Sequence, residues 1–456
     1  MLIEIILGIV LLFLVLYGYI TQHFGRWKKL GVPYAKGTFP IGSLNVFGST
    51  HLDISSEKLH EEFKDEKYFG LFMFGKPFLN INDPELLKQI QVKDFDHFVD
   101  RTSAELNRKF FGGGELDQIW VRQLTSLSGE EWKDVRGAFT PIFTSGKMKN
   151  MMKFIHHVSK DLLNEFEKLS ESKEEFELKS VFGKFSIDAL ASAAFGVDAE
   201  SFTNKKSLFV KHAEAIFNTG GTMNQIWLGL RMIPGFTPLL ELLKIDTNAP
   251  EATKFYRDII LQSIKLRRQT NERKNDLIDL MLDAMKDEKQ DQDEAEDQYE
   301  KDMKLSHTRK KQISEFDIVA TALVLLVAGY DTTGINLSFM AYELANNPHI
   351  QSNLQEEIDQ AFDDAGDKFP DYNTIMSLEY LDMVIHETLR LHPPVGMNFR
   401  NAEKDWKLPN SDIILKKGDA VCFNARYLHK KPDCWSHPNE FYPEHFSKEE
   451  KSTRNQ

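Results

Sequence analysis

The sequence predicts a mainly α protein with a minor β portion, carried on an N-terminal membrane helix. Three features predict this. Apolar residues recur at helical period over most of the chain, strand-like runs are few and short, and residues 1–20 are almost wholly apolar. The 456 residues, 41% of them hydrophobic, suffice for a large buried core and exclude global disorder.

Residues 1–20, MLIEIILGIVLLFLVLYGYI, contain the single charge Glu4 and reach about 30 Å as a helix, the thickness of a hydrocarbon core. They lack the basic start and small-residue cleavage site of a removed signal, so they read as a transmembrane signal anchor. Arg26, Lys28 and Lys29 follow, which orients everything downstream into the cytosol. Residues 21–45 form a basic and Pro/Gly hinge, with Gly31, Pro33, Gly37, Pro40 and Gly42 making a stiff, non-helical connector. One body is expected over 46–456.

In that body, residues 70–82 suggest a hairpin about a Gly-Lys-Pro turn. Helical periodicity then covers 84–92, 130–137, 147–169, 183–195, 205–217, 250–269, 273–286, 314–346, 348–362 and 379–391, and strand-like runs return at 411–415 and 419–424. Residues 286–302 are nearly all polar and read as a solvated loop or frayed helix end. The formal charge of −13 lacks the basic footprint of phosphate-backbone binding, which removes nucleic acid as a partner. Two cysteines, Cys422 and Cys434, make no disulfide framework and read as free thiols in a reducing compartment.

The longest helix has the most informative pattern. Ser314 and Asp317 have the form of a capping box, and Pro348 supplies the stop. From Ile318 to Ala328 the only polar side chain is Thr321, so this half is buried on all sides. The pattern then breaks at Ala328-Gly329-Tyr330-Asp331-Thr332-Thr333-Gly334. Back-bonded threonines with a paired aspartate explain the break structurally. A groove in which Asp331 and Thr332 deliver protons to a small ligand explains it functionally.

Further on, Glu387 and Arg390 lie three apart on one helix face among apolar neighbours, a candidate buried structural ion pair. His386 and His392 are six apart, whereas the helical metalloprotease motif needs four, so no metal site is assigned there.

Taken in chain order, a series of motifs resembles one family. It comprises the anchor and hinge, Trp132 to Arg136 in GEEWKDVRGAFTPIFTSGKMK, AGYDTT at 328–333, Glu387-Thr-Leu-Arg390, Leu428-His429 with Pro432 and Trp435, and Phe441-Tyr-Pro-Glu-His-Phe446. The family is the cytochrome P-450 haem-thiolate monooxygenases, of the microsomal type that includes drug-metabolising and thromboxane-synthase-like members.

The resemblance implies a cytochrome P-450 fold and haem (heme, iron protoporphyrin) as cofactor. It implies that Trp132, Arg136 and Arg400 lie near the propionates, that Ala328 and Gly329 bind the cofactor, and that Asp331 and Thr332 are catalytic, flanking bound oxygen and relaying protons. It implies a flavoprotein NADPH reductase as electron donor, O2 and a lipophilic small molecule as substrates, and a single-pass place in the endoplasmic reticulum membrane with the catalytic body cytosolic. The chain has no G-x-G-x-x-G after a strand to bind a dinucleotide itself. Residues Phe209 to Phe217 and Met223 to Leu240 are expected as substrate roof or as plain core helices.

Two departures stand beside this. The family's axial cysteine belongs to a Phe-x-x-Gly-x-x-x-Cys-x-Gly loop after the segment ending at Phe446, whereas this chain ends at Gln456. Neither Cys422 nor Cys434 has that context, so no metal ligand is assigned and the fold is expected to lack the loop and the helix after it. His445 stands where the family usually has arginine, which puts a network with Glu387 and Arg390 in question. Two alternatives therefore accompany the monooxygenase reading: a non-catalytic, haem-less truncated relative, or a haem isomerase-type member. The acid and hydroxyl of AGYDTT favour oxygen activation over the isomerase.

Overall fold

The computed structural model describes residues 2–44, 52–73, 75–102, 104, 108, 113–173, 175–204, 206–217, 230, 236–285, 312–366 and 368–453. The charged run 286–302 and most of the expected roof segment 223–235 lie outside the described residues. The chain forms two compact units, one from Met1–Glu105 with Val395–Pro438, the other from Leu106–Pro394 with Asn439–Gln456.

The first unit holds the β portion. A helix runs over Leu2–Thr21, with Ile3, Leu7, Leu11 and Leu14 exposed. Trp27 is buried just after it, its indole N–H donating to Leu71 O at 3.2 Å. A Cβ on Gly70 would stand 2.3 Å from that indole, so only glycine fits beneath it. Strands β1 (Tyr68–Met73) and β2 (Lys76–Ile81) form the hairpin. Its turn is tighter than the sequence suggested, because Lys76 and Pro77 already belong to β2 and Gly75 takes the left-handed φ of 82°.

Strand β3 (Met397–Asn401) was not anticipated, since only Met397 and Phe399 of MNFRN are apolar and none of the five is β-branched. It pairs antiparallel with β6 (Ala420–Asn424), which runs parallel to β2, giving the order β1-β2-β6-β3. Between them β4 (Trp406–Lys407) and β5 (Ile414–Leu415) pair separately, so the expected strand at 411–415 shrinks to two residues.

A polar chain threads this unit's core. His60 Nδ1 lies 2.7 Å from Ser56 O, Asn80 Nδ2 lies 3.0 Å from His60 Nε2, and Asn424 Nδ2 donates to Ser56 Oγ at 3.1 Å. All four residues are fully buried. Burial lowers the His60 pKa to about 4, against hydrogen bonds from Ser56 and Asn80 that favour its charged form. The folded state thus binds fewer protons than the unfolded one between pH 6.5 and about 4. Acidifying through that window should remove about 3 kcal/mol of stability, with no further loss from this group below it. Titration of the His60 imidazole resonance checks this: a midpoint near 6.5 refutes it.

The second unit is helical. Its core packs Ile187, Tyr256, Ile260, Ile278, Ile318 and Leu323 around the middle of the sequence. Helices Gly129–Phe139, Ser145–Ser172, Leu208–Phe217, Pro250–Thr270, Pro348–Ala365 and Glu379–Leu391 fall close to the expected ranges. The helix expected from 273 begins at Leu277. The preceding residues instead enclose Arg267, whose guanidinium meets both Asp276 oxygens at 3.1 and 2.6 Å and Asp279 at 2.8 Å, all buried.

The central helix, Glu315–Asn346, is by length and composition apolar enough to cross a bilayer, yet Ile318–Leu323 and Leu326 are buried inside this unit. The capping box is present at its start. Ser314 Oγ accepts from Asp317 N, and Asp317 Oδ2 accepts from Ser314 N at 2.9 Å. Asp317 also meets Arg122 at 2.9 Å. Ser314→Ala should cost about 1 kcal/mol of unfolding free energy, and Asp317→Ala more, because it also leaves Arg122 without this partner. Urea denaturation midpoints measure both.

Candidate functional site

The central helix presents two different faces where its apolar pattern breaks. One face packs on the helix Leu178–Leu190. A Cβ on Gly329 would stand 2.9 Å from Leu190 Cδ1, and one on Gly334 would stand 3.4 Å from Gly183 N. Both glycines therefore let two helices approach. Gly329, expected against the cofactor, lies against Leu190, because at about 100° per residue it is turned away from Ala328.

Leu325, Ala328, Thr332, Ile335 and Phe339 recur at helical spacing along a different stripe, with Ala328 and Phe339 exposed and the others half-buried. This is an open, largely apolar face on a helix whose first half is otherwise enclosed. Thr332 Oγ1 donates to Ala328 O at 2.5 Å, the back-bond that bends a helix and leaves the hydroxyl oxygen free to accept. On the same stripe, buried Thr321 has a hydroxyl with no hydrogen-bond partner among the described residues.

Asp331 points elsewhere. Its carboxylate pairs with Lys179 Nζ at 3.0 Å, and both line a cleft of about 980 Å³ with Gly183, Phe217 and Tyr330. Burial, with Glu214 and Asp331 nearby, pushes the Tyr330 phenol up to about 12, so it stays protonated. One turn thus carries a carboxylate on a solvent-filled cleft and, one residue on, a hydroxyl on an open apolar face. Lys179 was not visible in the sequence as a partner. It is an ordinary charged residue in a helix's first turn, and only the fold brings it to Asp331.

Glu387 and Arg390 form the expected ion pair, fully buried and bidentate. Arg390 Nε donates to Glu387 Oε2 at 2.8 Å and Nη2 to Oε1 at 2.7 Å. Arg390 Nη2 also donates to Glu440 O at 2.9 Å, and Tyr442 N donates to Glu387 Oε1 at 2.8 Å. His445 does join this network: its Nδ1 lies 3.2 Å from Glu387 Oε2 and 3.3 Å from Oε1. The short turn Pro443–Phe446 brings the imidazole in, offsetting its smaller reach.

Trp132 and Arg136 share a face of the helix Gly129–Phe139, both half-buried, with Trp132 against the main core. Arg400 belongs to the first unit, on β3, where its Nη1 donates to Phe399 O at 3.0 Å. His386 Nδ1 lies 3.2 Å from Asp382, while His392 Nε2 lies 2.6 Å from Glu343 and its ring stacks on Phe339. Phe209, Ala213 and Ile216 turn into the core, and Leu242 and Leu243 of the helix Phe236–Leu243 stand exposed. Cys422 is fully buried in β6, and burial pushes its thiol well above the ordinary range; Cys434 shifts the same way.

The cytochrome P450 family profile matches residues 36–456. Cytochrome P450 3A29 of Sus scrofa is 32% identical over 456 residues, covering 99% of this chain and 83% of that protein. Cytochrome P450 9e2 of Blattella germanica is 31% identical, covering 96% of this chain and 83% of that protein. Cytochrome P450 3A1 of Rattus norvegicus is 32% identical, covering 98% and 82%.

Replacing Arg390 by Leu leaves the Glu387 carboxylate buried beside only His445 and the Tyr442 amide. It should cost about 3–5 kcal/mol. His445→Ala keeps the bidentate pair and should cost less, about 1–3 kcal/mol. Comparing the unfolding free energies of the two variants tests the order.

Proposed function

The chain belongs to the cytochrome P450 family, a class of haem-dependent monooxygenases, and we propose that its gene product is a membrane-anchored member oxidising lipophilic organic molecules. One oxygen atom of O2 enters the substrate and the other leaves as water, with electrons from a flavoprotein NADPH reductase. The apolar helix Leu2–Thr21, followed by Arg26, Lys28 and Lys29, supports a single-pass anchor in the endoplasmic reticulum membrane with the body in the cytosol.

The residues present fit the haem's oxygen-binding side. The open stripe of Leu325, Ala328, Thr332 and Phe339 offers a flat apolar surface ending in a hydroxyl. Arg136 suits a propionate, and Trp132 on the same helix face adds an indole donor. Gly329 is withdrawn from the cofactor set, since Leu190 occupies its side. Neither Cys422, fully buried in β6, nor Cys434 has the family's Cys-loop context, so neither is assigned as the iron's ligand. The thiolate belongs to the loop that the family pattern sets beyond Phe446.

When bound, haem supplies the oxygen chemistry. The chain's task is to exclude water and meter protons. The Thr332 hydroxyl, its hydrogen committed to Ala328 O, presents a lone pair to the open face; rotation about χ1 lets it pass a proton instead. Asp331, the residue before Thr332, faces the cleft, and its half-exposed pairing with Lys179 is weak enough to break and re-form. The observation that carries this reading is that Asp331 lines the cleft while Thr332, about 100° round the same core helix, lies on the open face.

The reduced, carbon-monoxide-bound spectrum of the full-length gene product in membranes should show a thiolate-type band; its absence overturns the reading. Asp331→Asn should lower turnover by about 100-fold with haem content and substrate Kd unchanged, and Asp331→Glu should restore part of it. Turnover unchanged by Asp331→Asn excludes the proton route.

A further inference from the structure

The cleft beside Asp331 has features that proton delivery does not require. Its lining includes four lysines, Lys179, Lys184, Lys206 and Lys211, against three acids, Glu177, Glu214 and Asp331. In a chain of formal charge −13, a lining with an excess of cations is a local inversion. Lys179 and Lys184 are engaged with Asp331 and with Glu165 at 3.5 Å. Lys206 and Lys211, both exposed, have no carboxylate partner among the described residues.

The cleft is also partly greasy and its wall is fixed. Leu208, Val210, Phe217 and Tyr330 line it, with the Phe217 and Tyr330 rings 5.7 Å apart. The turn carrying Ser201 to Ser207 is pinned from behind. The buried Asp188 carboxylate accepts from Ser201 N at 3.1 Å and from the Ser201 hydroxyl, and Ser207 Oγ donates to Ala199 O at 2.7 Å. These contacts anchor Ser201 and Ser207, Lys206 immediately precedes Ser207, and Lys211 follows on the helix Leu208–Phe217.

We propose that this cleft is a second ligand site, distinct from the open stripe of the central helix, and that it takes small organic anions with an aromatic or other apolar body. The anionic oxygens meet Lys206 and Lys211, and the apolar part lies against Leu208, Phe217 and Tyr330. Neutral lipophiles of the kind proposed as substrates leave both lysines unsatisfied and gain only the apolar contact. Because Lys179 also lines the cleft, a bound anion competes with Asp331 for that ammonium group.

The test is equilibrium dialysis of the full chain with 4-methylumbelliferyl sulfate and with its neutral parent, 4-methylumbelliferone, at low and high salt. The sulfate should bind at least tenfold more tightly than the parent, and high salt should weaken it. The double variant K206E/K211E should lose about tenfold or more, whereas K160E/K168E, which changes net charge equally on the exposed face of the helix Ser145–Ser172, should bind as the unaltered chain does. Equal binding of the two probes, or equal loss in both double variants, overturns the site. Dialysis needs neither haem nor turnover, so its outcome is independent of the monooxygenase reading.

Discussion

The requirement that most shapes the helical unit is burial of the helix Glu315–Asn346. A helix enclosed on all sides must close its own backbone bonds and leave no end group unpaired. Its first turn meets this through Ser314 and Asp317, with Arg122 neutralising the buried carboxylate. Its neighbours must come close, and Gly183 and Gly334 permit contact with the helix Leu178–Leu190 at backbone distance. What remains uncovered is one stripe, and that stripe is the candidate haem face.

Buried charge is handled in the same unit by enclosure within short segments. Arg267 is held by Asp276, just before the next helix, and by Asp279 in that helix's first turn. Glu387 and Arg390 are three residues apart, and Tyr442 and His445 close over them. Each cluster is costly to break singly, since an unpaired ion would stay in a poorly solvated place. Each therefore fixes where a chain segment must lie.

Much of the helical content was legible, because amphipathic period and caps are local properties. The helix Glu379–Leu391 matches its expected range, and the central helix differs by one residue at its start. Strand β3 was not legible: its five residues owe their strand state to pairing with β6, across the intervening β4 and β5. Of the candidate site, Asp331 and Thr332 stood out in the sequence by the polar break they make. The glycine at 329 was legible but its neighbour was not, because Leu190 lies nearly 140 positions earlier. His445 was doubted as shorter than arginine and largely neutral near pH 7, and the backbone turn that brings it to Glu387 is tertiary.

The amino-acid order alone determined the class of structure and the family, through periodicity, the apolar first twenty residues and motifs in a fixed sequence. It also determined that a polar break lies in the central helix. Only tertiary structure decided which way each group of that break faces. Helical rotation separates Asp331 from Thr332 by about 100°, and the identity of what packs on each side, Lys179 and a cleft on one and an open apolar stripe on the other, depends on segments far away in sequence. Long-range packing sets that arrangement, and no local pattern encodes it.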